Sequence, residues 1–496
     1  MATVVIIGAG MGGMATAARL AAKGHTVNVY EHSDTWGGKL GHVSHGEHKF
    51  DTGPSLLTLP AVYRDLFLKT GRAIEDSIEI VDLDTAFRYQ FADGTVLKMP
   101  GTGIGSCAEA IGDALGGNSA DEWRAFMARA AKMWAATRRP FLESPLNGMK
   151  SLLKLSWRVN DLVTISPGRT LRSLSEHYFS DPRLVTLVDR YATYTGSDPR
   201  QAPAALATVP YIEQTFGAYH VAGGLRELGR ALFERCTEIG VNFHFNQTVE
   251  KITTNERVTG IELANGTHVP ADIVVANCDA AQVYSSLLND TALDASSRDV
   301  HRLQRATPSL SGFVVLAALD GVNDELEHHN VFFPADYDNE FDSIFGTSSS
   351  PRPVPDPTIY ICSPKDTAMA PENTESWFVL VNAPRHDVDH GVNWTKEHAH
   401  YSELVLDSIE RRLPGSRARM TWHESISPAD LEGRTMAPGG AIYGSSSNGA
   451  MSAFLRPRNV TAIKNLYLVG GSSHPGGGLP LVGMSAEIVA THIGRA

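Results

Sequence analysis

The feature that most constrains this chain is a glycine pattern at its start. Thr3-Val4-Val5-Ile6-Ile7 is a short, β-branched, apolar run of the kind that forms a buried parallel strand. Gly8-Ala9-Gly10-Met11-Gly12-Gly13 follows it directly, so Gly8, Gly10 and Gly13 spell G-x-G-x-x-G at a strand-to-helix turn. Residues 14–23 are Ala-rich and suit a helix that Gly24 ends. Residues 27–30 read as the next strand, with Glu31 at its end, 18 residues after Gly13. Strand, glycines, helix, strand and acid in this order describe a dinucleotide-binding βαβ unit. The first glycine allows the tight turn, the second lets a pyrophosphate approach the backbone, and the third lets helix and strand pack closely. The phosphates would face the helix N-terminus, where free N–H groups and the dipole favour anions, and Glu31 would accept from ribose hydroxyls.

The other end of the chain carries a second strand and glycine turn. Leu466-Tyr467-Leu468-Val469 leads into Gly470-Gly471, then Ser472-Ser473-His474-Pro475-Gly476-Gly477-Gly478-Leu479-Pro480. If both ends serve one site, segments more than four hundred residues apart must meet in space. Near the N-terminal unit, Gly37-Gly38-Lys39 places a second glycine pair just past the acid, and Phe50-Asp51-Thr52-Gly53-Pro54 reads as a strand end and turn. Lys39 is open to two readings, a phosphate partner or a solvated lysine.

Composition narrows the partners. With 43 basic against 55 acidic residues and a net charge of −12, the chain has no basic cluster, which argues against nucleic acid. Cys107, Cys236, Cys278 and Cys362 lie far apart without a C-x-x-C, so buried free thiols are expected. His42, His45, Glu47 and His48 cluster but match no zinc motif, and no metal site is expected. The first strand begins at residue 3, which leaves no room before it for a signal peptide and suggests a cytoplasmic chain. The longest uncharged run, 465–486, is broken by glycines and prolines and reads as strand, loop and helix start, not a membrane span. Peripheral membrane binding stays open.

Along the chain, residues 71–205 read as mostly helical, with helices over 120–136, 151–162, 170–179 and 182–194. Trp123, Phe126, Met127, Met133 and Trp134 recur at roughly helical spacing, as core or as the lining of an apolar tunnel. From Ala222-Gly223-Gly224-Leu225 a helix over 226–239 precedes strand-like runs at 241–245, 248–252, 258–263 and 271–277, with Asn265-Gly266 marking a hairpin. Residues 311–319 and 377–382 read as strands of a further sheet.

On these residues the chain resembles the bacterial phytoene desaturase type of carotenoid dehydrogenase, nearly end to end. The landmarks are Gly8 to Gly13, Phe50-Asp51-Thr52-Gly53-Pro54-Ser55, His328-His329-Asn330-Val331-Phe332-Phe333, Asp356-Pro357-Thr358-Ile359-Tyr360, Trp377 to Pro384, and Gly470 to Pro480. The double glycine after the acid is similar to the extended fingerprint of FAD-binding flavoproteins of the amine-oxidase and desaturase superfamily. The resemblance implies an α/β fold: a discontinuous Rossmann-like FAD-binding domain (1–70, 206–300 and 421–496) with an inserted α+β substrate domain. A helical substrate- or membrane-associating part (71–205) and a sheet (301–420) would make up that insertion. It implies FAD contacts from Gly8, Gly10, Gly13, Glu31, Gly38, Lys39, Gly53, Pro54, Val249 (backbone to adenine), Gly470, Gly471 and Pro480. Gly476 to Gly478 would lie against the flat ring, with Pro480 near its N1/O2 edge. The implied activity is desaturation of an acyclic carotenoid, phytoene or a later and hydroxylated intermediate, by an enzyme touching the inner face of the cell membrane. The C-terminal block looks closer to desaturases of later intermediates. A related isoprenoid saturase, an amine oxidase and a non-catalytic flavin or carotenoid carrier are the alternatives. No catalytic residue is identified, and His474 reads as structural.

Overall fold

The computed structural model describes residues 1–139, 143–144, 164–346, 350–449 and 452–496. The expected helix over 151–162 lies outside them.

Five parallel strands form the first sheet, in the order Leu466–Leu468, Ile273–Ala276, Thr3–Ile7, Thr26–Tyr30, Asn242–His244. The N-terminal strand is therefore central, which is why Val4, Val5 and Ile6 are fully buried and why the run shows no polar alternation. Helix Met11–Ala21 leaves this strand and is buried almost throughout; its small residues let Leu479–Ile493, the last helix, pack alongside. The two chain ends thus sit side by side, one strand apart in the sheet. The Asn265-Gly266 hairpin forms as expected, within a three-stranded antiparallel sheet of Val249–Thr254, Val258–Leu263 and His268–Pro270.

A second, seven-stranded sheet runs Met420–Ile426, Ser311–Asp320, Thr374–Ala383, Ile359–Cys362, His329–Phe332, Thr85–Gln90, Val96–Pro100. All neighbours pair antiparallel except His329–Phe332 with Thr85–Gln90. The stretch read as mostly helical therefore also supplies two strands, Thr85–Gln90 and Val96–Pro100. Their short apolar runs sit between charged residues and are easily passed over when helical spacing dominates the surrounding sequence.

Helices Ser119–Thr137, Leu171–Tyr178 and Pro182–Thr193 cover one face of this sheet. Thr170 and Ser173 form a reciprocal capping box, and Asp181 caps the helix that Pro182 opens. Trp123, Phe126, Met127 and Met133 lie in the core that these helices share with the sheet, and Trp123 Nε1 donates to Gln214 Oε1 at 3.1 Å. Tunnel lining, the second reading of that stripe, is set aside: these four side chains are spent on core packing, and Trp134, the fifth, is buried edge-on against Phe216. Among the described residues no helix is long and apolar enough to cross a membrane.

Candidate active site

A cavity of about 1070 Å³ lies between the two sheets. Gly8, Gly10, Glu31, Gly38, Lys39, Gly53, Pro54, Val249, Gly470, Gly471 and Pro480 all line it. Gly13, the remaining residue of the expected set, stands behind the wall. A Cβ there would fall 2.2 Å from the Gly8 carbonyl oxygen, so its role is helix–strand packing. Helix Met11–Ala21 begins behind Gly10, which offers no side-chain cap, leaving the first-turn N–H groups for a ligand.

Glu31 ends its strand at this point. Its Oε2 accepts from the Ala9 N–H at 2.7 Å, and its Oε1 accepts from the Ser33 N–H and hydroxyl at 3.0 and 2.9 Å, beside His32 Nδ1 at 2.8 Å. Burial alone would raise this carboxyl, but the bonds from His32, Ser33 and Ala9 together hold it below its ordinary range. It is an ionised acceptor tied to the glycine turn.

Lys39 opens onto the cavity yet is enclosed by surrounding chain. Its Nζ donates to the Ala441 and Ile442 carbonyls at 2.8 and 2.6 Å. Burial lowers its pKa, with Asp279 opposing. The lysine therefore bridges the N-terminal segment to the C-terminal one, a role that neither reading from sequence included. Asp51 does similar work: its carboxylate accepts from the Leu225 and Arg226 N–H groups at 2.7 and 3.0 Å, capping the following helix, and burial lifts its pKa to about 6.

Asn277 was missed by sequence reasoning. It closes the strand Ile273–Ala276, and its amide lies where both chain ends converge: a Cβ on Gly10, Gly12 or Gly470 would come within 2.8, 2.5 or 2.9 Å of it. The one available signal was a polar residue directly after an apolar strand of the same sheet. His474 does not line the cavity; its Nε2 pairs with the Ser144 carbonyl at 3.0 Å and its N–H with that of Pro457, as a structural residue would. The His42 to His48 cluster is a β-hairpin, with His45 stacked on Trp422 and His48 bonded to Ser376.

At the far end the lining changes character. Leu56, Val209, Ile212, Leu310, Val314 and Phe378 are apolar, but Arg190, Tyr194 and Glu213 stand among them. Glu213 accepts from the hydroxyls of Tyr191 and Tyr194 at 2.6 and 3.3 Å, and burial raises its pKa. Arg190 donates to Tyr194 Oη at 2.9 Å and stacks 5.1 Å from the Phe87 ring centre and 5.7 Å from that of Tyr360.

A parallel-sheet nucleotide site that opens into an apolar chamber defines the class, a dinucleotide-dependent oxidoreductase. The model of the family "flavin containing amine oxidoreductase" matches residues 11–493, and this chain belongs to that family. It is 31% identical over 99% of its length (97% of the relative) to a 4,4'-diapolycopene oxygenase of Methylomonas. It is 33% identical (99% and 98%) to a 1-hydroxycarotenoid 3,4-desaturase of Flavobacterium, and 32% identical (99% and 97%) to a hydroxyneurosporene desaturase of Rhodobacter capsulatus. Among solved structures, an oxidoreductase from Methanosarcina mazei superposes with a TM-score of 0.66 at 18% identity, covering 99% of this chain and 100% of that one. A putrescine oxidase variant reaches 0.66 at 13% identity (99% and 98%), a likeness of fold alone.

The cofactor is FAD, and the cavity suits it. The glycines leave room for a diphosphate against the backbone, Glu31 is an ionised acceptor for a ribose, and Arg226, Arg434 and Lys39 bring positive charge. Gly477 and Gly478 keep the opposite wall free of side chains; a Cβ on Gly477 would strike the Tyr443 ring at 2.3 Å.

Proposed function

We propose that this FAD-dependent oxidoreductase desaturates an acyclic carotenoid, and that its substrate is a later intermediate bearing a hydroxyl at one end. The observation that carries this reading is the mixed lining of the chamber. A polyene needs the apolar wall, and Arg190, Tyr194 and Glu213, bonded to one another, set one polar cluster into it that a pure hydrocarbon would not use. A terminal hydroxyl both donates and accepts, and so matches them. Two of the three relatives carry hydroxylated carotenoids in their names, which supports the same choice. An amine substrate fits less well, because Arg190 already occupies the aromatic faces of Phe87, Tyr194 and Tyr360 that a substrate cation would need.

In this reading Gly8, Gly10, Glu31, Gly38, Gly53, Pro54, Val249, Gly470, Gly471 and Pro480 hold FAD, Gly13 shapes the turn, and Lys39 fixes the loop that closes over it. The division into a cofactor domain (1–70, 206–300, 421–496) and a substrate part (71–205, 301–420) belongs to the same proposal. When bound, the flavin accepts two electrons and a hydrogen from an allylic carbon. The chain contributes orientation and exclusion of water. Because a carotenoid partitions into lipid, we place the enzyme peripherally on the inner face of the cell membrane.

Anaerobic mixing of the holoprotein with phytoene and with hydroxylated neurosporene, each in liposomes, tests the assignment. Bleaching of oxidised flavin together with a longer-wavelength polyene, faster with the hydroxylated substrate, is expected. Bleaching by neither would remove the desaturase reading, and faster reaction with phytoene would remove the hydroxyl.

A further inference from the structure

Desaturation also releases a proton, into a chamber lined largely by carbon. Three landmarks that are distant in sequence converge on that chamber. Ser55 and Tyr360 both line it, and Tyr360 Oη lies 2.6 Å from Ser55 Oγ and 2.7 Å from His329 Nδ1. His329 is fully buried, and its Nε2 has no hydrogen-bond partner among the described residues. Next to it stands His328, half-buried, with ring centres 4.5 Å apart; His220 follows at 4.7 Å, and its Nε2 pairs with Asp366 Oδ2 at 2.8 Å. Ligand atoms of His329 and His328 lie within 4.8 Å of each other, a span that one bridging water or a small ring rotation closes. The series runs from a fully enclosed imidazole to a carboxylate near the surface.

We propose that Ser55, Tyr360 and His329 carry the substrate proton out of the chamber, through His328 and His220 to Asp366. This rests on the desaturase reading. One substrate C–H bond breaks with its electron pair entering the new C=C. Tyr360 Oη takes that proton as its own hydrogen passes to His329 Nδ1, and the proton held at Nε2 moves on to His328. FAD, when bound, would supply the acceptor for the neighbouring hydrogen and its electron pair, so the sum would be one C=C, one reduced flavin and one proton delivered to solvent.

The surrounding charges favour passage over storage. Burial first, then His328, His220 and Arg190, hold His329 well below its usual basicity, so it rests neutral and does not retain the proton. Burial and His220 do the same to His328, pushing it down to about 3. Weak bases suffice, because a carbon acid next to a polyene cation is strongly acidic. The Cys362 thiol beside both imidazoles is kept protonated by burial and does not compete.

Tyr360→Phe keeps the ring and removes the hydroxyl. With hydroxylated neurosporene under anaerobic conditions, flavin bleaching should slow roughly 100-fold, while reduction by dithionite stays unchanged. The wild-type rate should fall about twofold in heavy water, and Tyr360→Phe should lose that sensitivity, as proton-transfer control requires. A second readout needs no turnover. In cofactor-free protein, the 15N resonance of His329 Nδ1 should be that of an acceptor nitrogen and should shift in Tyr360→Phe. Ser55→Ala, a milder change, should slow bleaching less. Wild-type bleaching by Tyr360→Phe, or stoichiometric zinc held by His328, His329 and Cys362, would overturn the route. If wild-type holoprotein is bleached by no carotenoid, the desaturase reading fails instead, and the resonance shift still reports on the hydrogen bond.

Discussion

The two ends of the cavity are built on opposite principles. The nucleotide end is made by backbone: glycines, a helix start and one acid, all within thirty-one residues, closed by Gly470 and Gly471 from the far terminus. The polyene end is made by side chains scattered over the second sheet and its helices, from Leu56 to Leu380 and beyond. At Gly10, Gly13, Gly53 and Gly470 the first has no room for a Cβ, which would collide with backbone or with Asn277. The second is defined by the bonded cluster of Arg190, Tyr194 and Glu213 set in an otherwise apolar wall. Damage to the first end should therefore weaken or remove the cofactor, whereas damage to the second should change the choice of substrate and leave the flavin bound.

The sharpest break is Gly13→Val. With no space beside the Gly8 carbonyl, the purified protein should carry no flavin, as judged by its visible spectrum. Full yellow colour would mean that the glycine turn does not shape the site. Asp51→Asn comes next. The buried carboxyl has a folded pKa of about 6, above its ordinary 3.8. The contribution of this group is therefore fully present below about pH 4 and is lost as pH rises through about 6. The variant cannot ionise and lacks that loss. The gap in unfolding free energy between wild type and variant should move by about 2 kcal/mol between pH 4 and 7, at about 1.4 kcal/mol per pKa unit. Parallel pH-dependent denaturant melts measure it, and parallel curves would refute it.

Arg190→Met addresses the other end. The kcat/KM for an end-hydroxylated carotenoid should fall about thirtyfold, equivalent to about 2 kcal/mol, as for a charged hydrogen bond. That for phytoene should hold or rise, and equal losses on both would assign Arg190 to general packing. Glu31→Ala should weaken FAD about tenfold in a fluorescence titration, because the ribose acceptor and the Ala9 and Ser33 tethers go together. The smallest functional effect is expected from Trp123→Phe. Loss of the Gln214 bond and some core volume should cost about 1–2 kcal/mol of stability, with the flavin spectrum and product unchanged. A changed product would return that stripe to the chamber wall.

Much of the nucleotide end was legible because its signals are local. A buried strand must be β-branched, a turn against phosphate must be glycine, and the spacing to Glu31 is set by one helix and one strand. The placement of Gly38, Gly53 and Gly470 on one cavity followed from family resemblance, since nothing local in those segments points to a common partner. Lys39 shows the limit. Its sequence position left a phosphate partner and a solvated lysine both open, and only the fold shows its ammonium reaching the carbonyls of residues 402 and 403 positions away. The strand Thr85–Gln90 shows it again, because its place in the sheet depends on pairing with Asn330, Val331 and Phe332, and Val96–Pro100 joins the sheet only through it.

The amino-acid order alone determined the parallel core, the glycine turn and the acid beside it, since each is dictated by steric and hydrogen-bond demands within a few residues. Only the folded chain decided that Asn277 would join the termini, that Trp123 and its neighbours would be core, and that Arg190, Glu213, Ser55 and Tyr360 would face one chamber with His329 behind them. Such contacts bring together groups whose separation along the chain carries no periodic trace, and they exist only once the two sheets have closed on each other.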